Sequence, residues 1–255
     1  MAEFFESVPS EIWIFILVGF FAQMIDGTLG MAYGVSCNSF LLSFGGLSAA
    51  AASAAVHLAE VFTTLVSGIS HWRMKNIDKR LFLSLVIPGV LGGVLGAFVL
   101  SEFDGERIKP FVCAYLVIMG GVIIFKAFKE PKKLDIKGAV YPLGFVGGLS
   151  DAVGGGGWGP VVTSTLIAVG QDPKKTIGSV NTAEFFVTFA QTLTFAAFIG
   201  YSHSIWPVAG LILGGVVASP IAAYLCKRIP VKPLMIIVGV IIVFLNLRVL
   251  ILEFF

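Results

Sequence analysis

The chain has 255 residues, 57% of them hydrophobic and only 13% charged, with a formal net charge of +2 and a mean hydropathy of +0.95. A soluble domain carries about 25% charged residues, so this composition excludes a soluble globular protein and predicts an integral membrane protein. There is no basic footprint for nucleic acid, and Cys37, Cys113 and Cys226 are scattered in apolar segments, which suggests neither a disulfide framework nor a metal cluster.

The N-terminus, MAEFFESVPSE, has no basic residue and so lacks the start of a signal peptide. Hydrophobic segments then fall at about 12–26, 31–44, 48–70, 81–101, 110–128, 138–151, 158–170, 176–200, 205–226 and 233–252. A full membrane span needs about 20 residues. The first, second, sixth and seventh segments are short. Each short pair meets at an aspartate followed by glycines, and reads as a re-entrant hairpin or as one long broken helix.

The two breaks resemble each other. GFFAQMIDGTLGMAYGV at 19–35, moved by 125 residues, sets Asp26 on Asp151, Gly30 on Gly155 and Tyr33 on Trp158 of GFVGGLSDAVGGGGWGP. With one residue of slip, His57-x-x-Glu60 falls on Asn181-x-x-Glu184; further on, Gly92-Gly93 falls on Gly214-Gly215 and Lys109-Pro110 on Lys232-Pro233. The chain therefore reads as two membrane repeats, 1–128 and 138–255, joined by a basic linker at 129–137.

Loop charge orients them, because cytoplasmic loops carry excess Lys and Arg. HWRMKNIDKR (71–80), KAFKEPKKLDIK (126–137) and KRIPVK (227–232) are basic, whereas SEFDGERIK (101–109) is acidic. Eight plain spans would put the basic loops at 126–137 and 227–232 on opposite sides. If each broken element is a hairpin, every basic loop becomes cytoplasmic and both termini extracytoplasmic. The predicted fold is an all-α polytopic membrane protein of two inverted repeats, each a re-entrant hairpin plus three transmembrane helices, a plan common in secondary transporters.

Within the apolar segments lie four acids, Asp26, Glu60, Asp151 and Glu184, paired by the repeat. A carboxylate at the bilayer centre costs about 2.5–3.5 kcal/mol on insertion scales, so such groups usually face a cavity and serve function. They read as proton-coupling groups or, for the two aspartates, equally as caps on the glycine turns. His57 with Glu60 is a weak metal signal and reads as a hydrogen-bonded pair. The glycine amides of Gly154, Gly155, Gly156 and Gly157 form a candidate anion site, with Ser179, Asn181 and Thr182 from the same half and Asn38 and His57 from the other. The bland alternative is a close helix-packing seam, since small residues let membrane helices approach.

DAVGGGGWGP at 151–160, followed by PKKTIGSVNTAEFF at 173–186, resembles the sulfite exporter TauE/SafE family, also called the toluene sulfonate uptake permeases. The resemblance covers essentially the whole chain. It implies a bacterial inner-membrane carrier for small sulfur-containing anions such as sulfite, sulfoacetate or other organosulfonates, often an exporter. The first break departs from the pattern: Leu29, Met31 and Ala32 replace glycines and Val35 the proline.

The expected function is thus secondary transport of such anions, proton-linked, with no cofactor, in a lipid environment; a homo-oligomer is left open. The alternative is a cation carrier using the four acids. A membrane-embedded enzyme ranks lower, because no nucleophile–base set is visible. No G-x-x-x-x-G-K-[ST] motif is present, which argues against primary active transport by this chain alone.

Overall fold

A computed structural model describes residues 9, 11–103, 105–129, 138–200, 205–226, 228 and 231–254. Parts of the basic loops at 126–137 and 227–232, the uncharged loop at 201–204 and most of the N-terminus lie outside these residues. Each of the ten apolar segments is a helical element, and the described residues contain no strand. The first half holds α1 (Ile12–Leu29), α2 (Tyr33–Phe44), α3 (Ala49–Arg73), α4 (Lys79–Glu102) and α5 (Gly105–Ala127). The second holds α6 (Val140–Gly154), α7 (Gly159–Ala168), α8 (Pro173–Phe198), α9 (Ile205–Leu225) and α10 (Val231–Phe254).

Six helices are long and apolar enough to cross a membrane: α1, α3, α4, α5, α9 and α10. Helix α1 runs to Leu29, beyond the expected end at 26, so Asp26 sits inside its last turn. Its 18 residues span about 27 Å, close to the hydrocarbon thickness. The 26-residue α8 is not among the six, because Ser179, Asn181, Glu184, Thr188 and Gln191 lie on its buried face.

The surface carries the apolar residues and the interior many of the polar ones. Leu83, Ile87, Leu91 and Leu95 of α4 and Ile237, Ile241 and Phe244 of α10 are exposed, whereas Asn38, His57, Glu60, Asp151, Asn181 and Gln191 are buried. This arrangement suits lipid as solvent, where apolar side chains gain nothing by turning inward and polar ones must find protein partners.

Helix termini follow local chemistry. Asp78 caps α4 through the amides of Arg80 and Leu81, and Asp172 caps α8, with Pro173 in its first turn. The most extensive helix contacts join the two halves: α1 lies along α9, α4 along α6 and α8, α3 along α8 and α5 along α10. Glycine makes these approaches close. A Cβ on Gly92 would fall 2.0 Å from the Phe145 carbonyl oxygen, and one on Gly214 would fall 2.0 Å from that of Ile16. The two stretches 1–128 and 138–255 therefore interleave.

Candidate transport site

The breaks are short. Helix α1 ends at Leu29, with Gly30 in the left-handed region (φ 68°), and α6 ends at Gly154, with Gly155 likewise (φ 60°). In each case the amide of that glycine bonds back to the carbonyl of the aspartate four residues earlier. The glycine run thus stays helical through Gly154, and only Gly155–Gly157 depart from the helix. The chain then re-enters α7 through a π-helical turn at Gly159–Thr163, a form frequent at functional sites.

The two breaks touch. A Cβ on Gly156 would lie 2.1 Å from the Val35 amide nitrogen, and one on Gly159 2.3 Å from the Met31 Cα. Asn38 locks the contact by donating to the Gly154 carbonyl at 2.7 Å. Beside this crossing lies the polar centre. Asp151 Oδ1 accepts the amides of Gly157 (2.8 Å) and Trp158 (3.0 Å). Its Oδ2 accepts from Gln191 (3.0 Å) and faces His57 Nε2 at 3.2 Å. Asp151 is therefore both the cap of the second break and a partner in the cluster.

His57 Nδ1 lies 2.6 Å from the Ser53 carbonyl. A carbonyl only accepts, so Nδ1 carries a proton, and Nε2 meets Asp151 Oδ2 through a second proton held by one of the two. This corrects the pairing expected from the sequence. His57 Nε2 is 4.0 Å from Glu60 Oε2, beyond hydrogen-bond range, because the Ser53 contact turns the ring toward α6. Asn181 does not serve Glu184 either: its Oδ1 accepts from Ser67 at 2.9 Å and its Nδ2 donates to the Ile177 carbonyl.

Asp26 Oδ2, like Glu60 Oε2 and Glu184 Oε2, is buried without a partner. One oxygen of each of Asp26, Glu60 and Glu184 thus has unused capacity, and Asp151 has little. One ligand atom each from His57, Glu60 and Asp151 lie within 4.8 Å of one another, a grouping that could hold a cation. Asp151 already accepts three N–H groups, which leaves few lone pairs for a metal.

The remaining predicted site residues divide. Asn38, His57 and Gly154–Gly157 converge at the crossing. Ser179 lies away from it, accepting from the Asp78 amide (2.7 Å) and donating to the Lys175 carbonyl (2.7 Å) at the start of α8. Thr182 bonds back to the Gly178 carbonyl and packs against Gly68 of α3. The amides of Gly155, Gly156 and Gly157 are taken up by Asp151 in this conformation.

Sequence reasoning missed Gln191 and Gln23. Gln191 lies seven residues after Glu184, hence on the same helix face, and Gln23 lies three before Asp26. Gln23 is fully buried with neither amide atom partnered. That helical spacing from an intramembrane acid was the available signal.

Residues 15–249 match the family described as Sulfite exporter TauE/SafE. A relative named "Probable membrane transporter protein YtnM" from Bacillus subtilis (strain 168) is 41% identical over 252 residues, covering 95% of this chain and 84% of the relative. No solved structure matches the chain. The interleaved, lipid-facing helices around a buried polar centre are those of a membrane transporter, and the chain belongs to the sulfite exporter TauE/SafE family.

Proposed function

We propose that this chain is a proton-linked secondary transporter, working as an exporter, of small sulfur-containing anions such as sulfite, sulfoacetate or other organosulfonates, in a bacterial cytoplasmic membrane. The observation that carries the reading is the crossing of the two breaks beside buried carboxyl oxygens that have no partner. A bare carboxylate in such a place is costly, whereas a protonated carboxyl is not. An anion approaching four acids is repelled unless protons come with it. Protonated Glu60 and Glu184 would turn from repelling groups into donors, so charge and proton move together.

The anion would bind where the breaks meet once they separate, near the bilayer midplane. Asn38, His57 and the amides around Gly154–Gly157 would be freed to donate, and Asn181 would add its amide from α8. The paired packing of α1 on α9 and α4 on α6 supports two inverted repeats with hairpin-like breaks. Labelling of a cysteine at position 130 from the outside alone would contradict that topology.

A second reading is favoured by one grouping: His57, Glu60 and Asp151 could carry a cation. Uptake into proteoliposomes separates the two. We expect exchange of sulfite or short sulfonates, with Glu184→Gln and, less strongly, Glu60→Gln flattening its pH dependence while the protein stays folded. Exchange of metal ions without sulfonates would establish the cation reading instead, and unchanged pH profiles would assign both glutamates to structure.

A further inference from the structure

A cavity of about 260 Å³ lies apart from the carboxyl cluster, where α5, α7, α8 and α10 come together at the end of α1. Three lysines line it: Lys126, Lys129 and Lys232. The rest of its wall is mainly apolar, and its inner side is formed by Leu29, Met31 and Ile177. Leu29 and Met31 flank Gly30, so this inner wall is the first break itself. The carbonyl of Gly30 and the Cα of Met31 press on Gly159, while Gly34, one turn on, meets Gly156 and Glu60. A molecule in the cavity is separated from the acids by the backbone of the break.

Among the described residues, none of these lysines has a carboxylate within 4.0 Å. Lys126 is half-buried, and its ammonium bonds only to neutral oxygens: Ser164 Oγ at 2.6 Å, Thr165 Oγ1 at 3.3 Å and the Pro160 carbonyl at 3.4 Å. Lys129 and Lys232 are held over the rings of Phe125 and Phe128, each 4.5 Å from the centroid. The half-buried ammonium of Lys126 attracts anions, the exposed Lys129 and Lys232 add to its field, and low-dielectric walls focus it.

We propose that this cavity is an outer anion site, the vestibule through which an organic oxyanion reaches or leaves the crossing, with Lys126, Lys129 and Lys232 holding its charged head and Leu29, Met31 and Ile177 its small apolar body. The Gly30–Met31 backbone against Gly159 is the gate between vestibule and acids. The site rests on the anion-transport reading above, and it places the recruiting charge on lysines at the end of the spans rather than at the midplane.

The test uses butanesulfonate and the purified full chain in zwitterionic lipid, read both by ligand-induced thermal stabilisation and by counterflow. Lys126→Gln should raise KM by about tenfold with little change in kcat, and abolish the stabilisation. The exposed pair Lys129→Gln/Lys232→Gln, which is remote from the packed core, should raise KM less and weaken its dependence on salt. Wild-type KM, stabilisation and salt dependence in both variants would overturn the vestibule. A change confined to the stabilising effect of added phosphatidylglycerol, with KM intact, would make the cavity a lipid-headgroup site and overturn it equally. Absence of counterflow in the wild type, with lysine-dependent butanesulfonate binding retained, would reject the transport reading and leave the anion site standing.

Discussion

The two breaks carry the same aspartate in different company. At the second, Asp151 is saturated by two amides, Gln191 and His57. At the first, Asp26 Oδ2 is buried without a partner. The shift of 124 residues that sets His57 on Asn181 also sets Ser67 on Gln191. Around Asp151 these positions hold the longer His57 and Gln191, which reach the carboxylate. Their counterparts, Asn181 and Ser67, are shorter and bond each other at 2.9 Å. A quasi-repeated scaffold has thus made one aspartate a structural keystone and left the other with unused capacity.

The largest effect should come from removing the keystone. Asp151→Ala leaves the Gly157 and Trp158 amides without their acceptor, takes one of the two acceptors of Gln191 Nε2 (the Gly148 carbonyl remains) and removes the partner of His57 Nε2. Each buried unmet group costs about 1–3 kcal/mol, so the variant should lose its monodisperse folded peak on size-exclusion chromatography. Asp26→Ala removes a carboxyl whose Oδ2 has no partner and should remain folded. Equal losses in both would erase the distinction between the breaks.

Gly156→Ala comes next. Its φ of 146° disfavours a side chain, and the added Cβ would fall 2.1 Å from the Val35 nitrogen. The breaks would be forced apart, and a thermal melt should show destabilisation of about 3 kcal/mol or more. A melt like that of wild type would show that the crossing is looser than described.

The smallest effect has the opposite sign. Ala32 holds a left-handed φ of 95° where the second break has Gly157. Ala32→Gly should relieve about 1 kcal/mol of backbone strain, visible as a modest rise in melting temperature. A fall would mean that the Ala32 methyl group contributes more by packing than its backbone costs.

The sequence carried much of the architecture because each helix announces itself by apolar length, and the breaks by glycine beside an acid. It could say less about who partners whom. Whether His57 turns to Glu60, three residues away, or to Asp151, 94 residues away, depends on the Ser53 carbonyl fixing its ring. Ser179 and Thr182 look like site residues by proximity to Asn181, yet helix rotation sends one to the α3–α4 loop and the other to Gly68. Lys126 was invisible as a cavity residue because α1, α7, α8 and α10 assemble that cavity from distant parts of the chain.

In the proposed cycle anion and proton move together through the acid cluster, with Asp26, Glu60 and Glu184 as the titrating side and Asp151 as the fixed one. Its most direct test is simultaneous recording of sulfonate flux and internal pH in proteoliposomes, without any imposed proton gradient. A sulfonate gradient should drive a pH change in wild type, and the change should be lost in the Glu60→Gln/Glu184→Gln double variant. Sulfonate flux with no accompanying pH change in the wild type would contradict it.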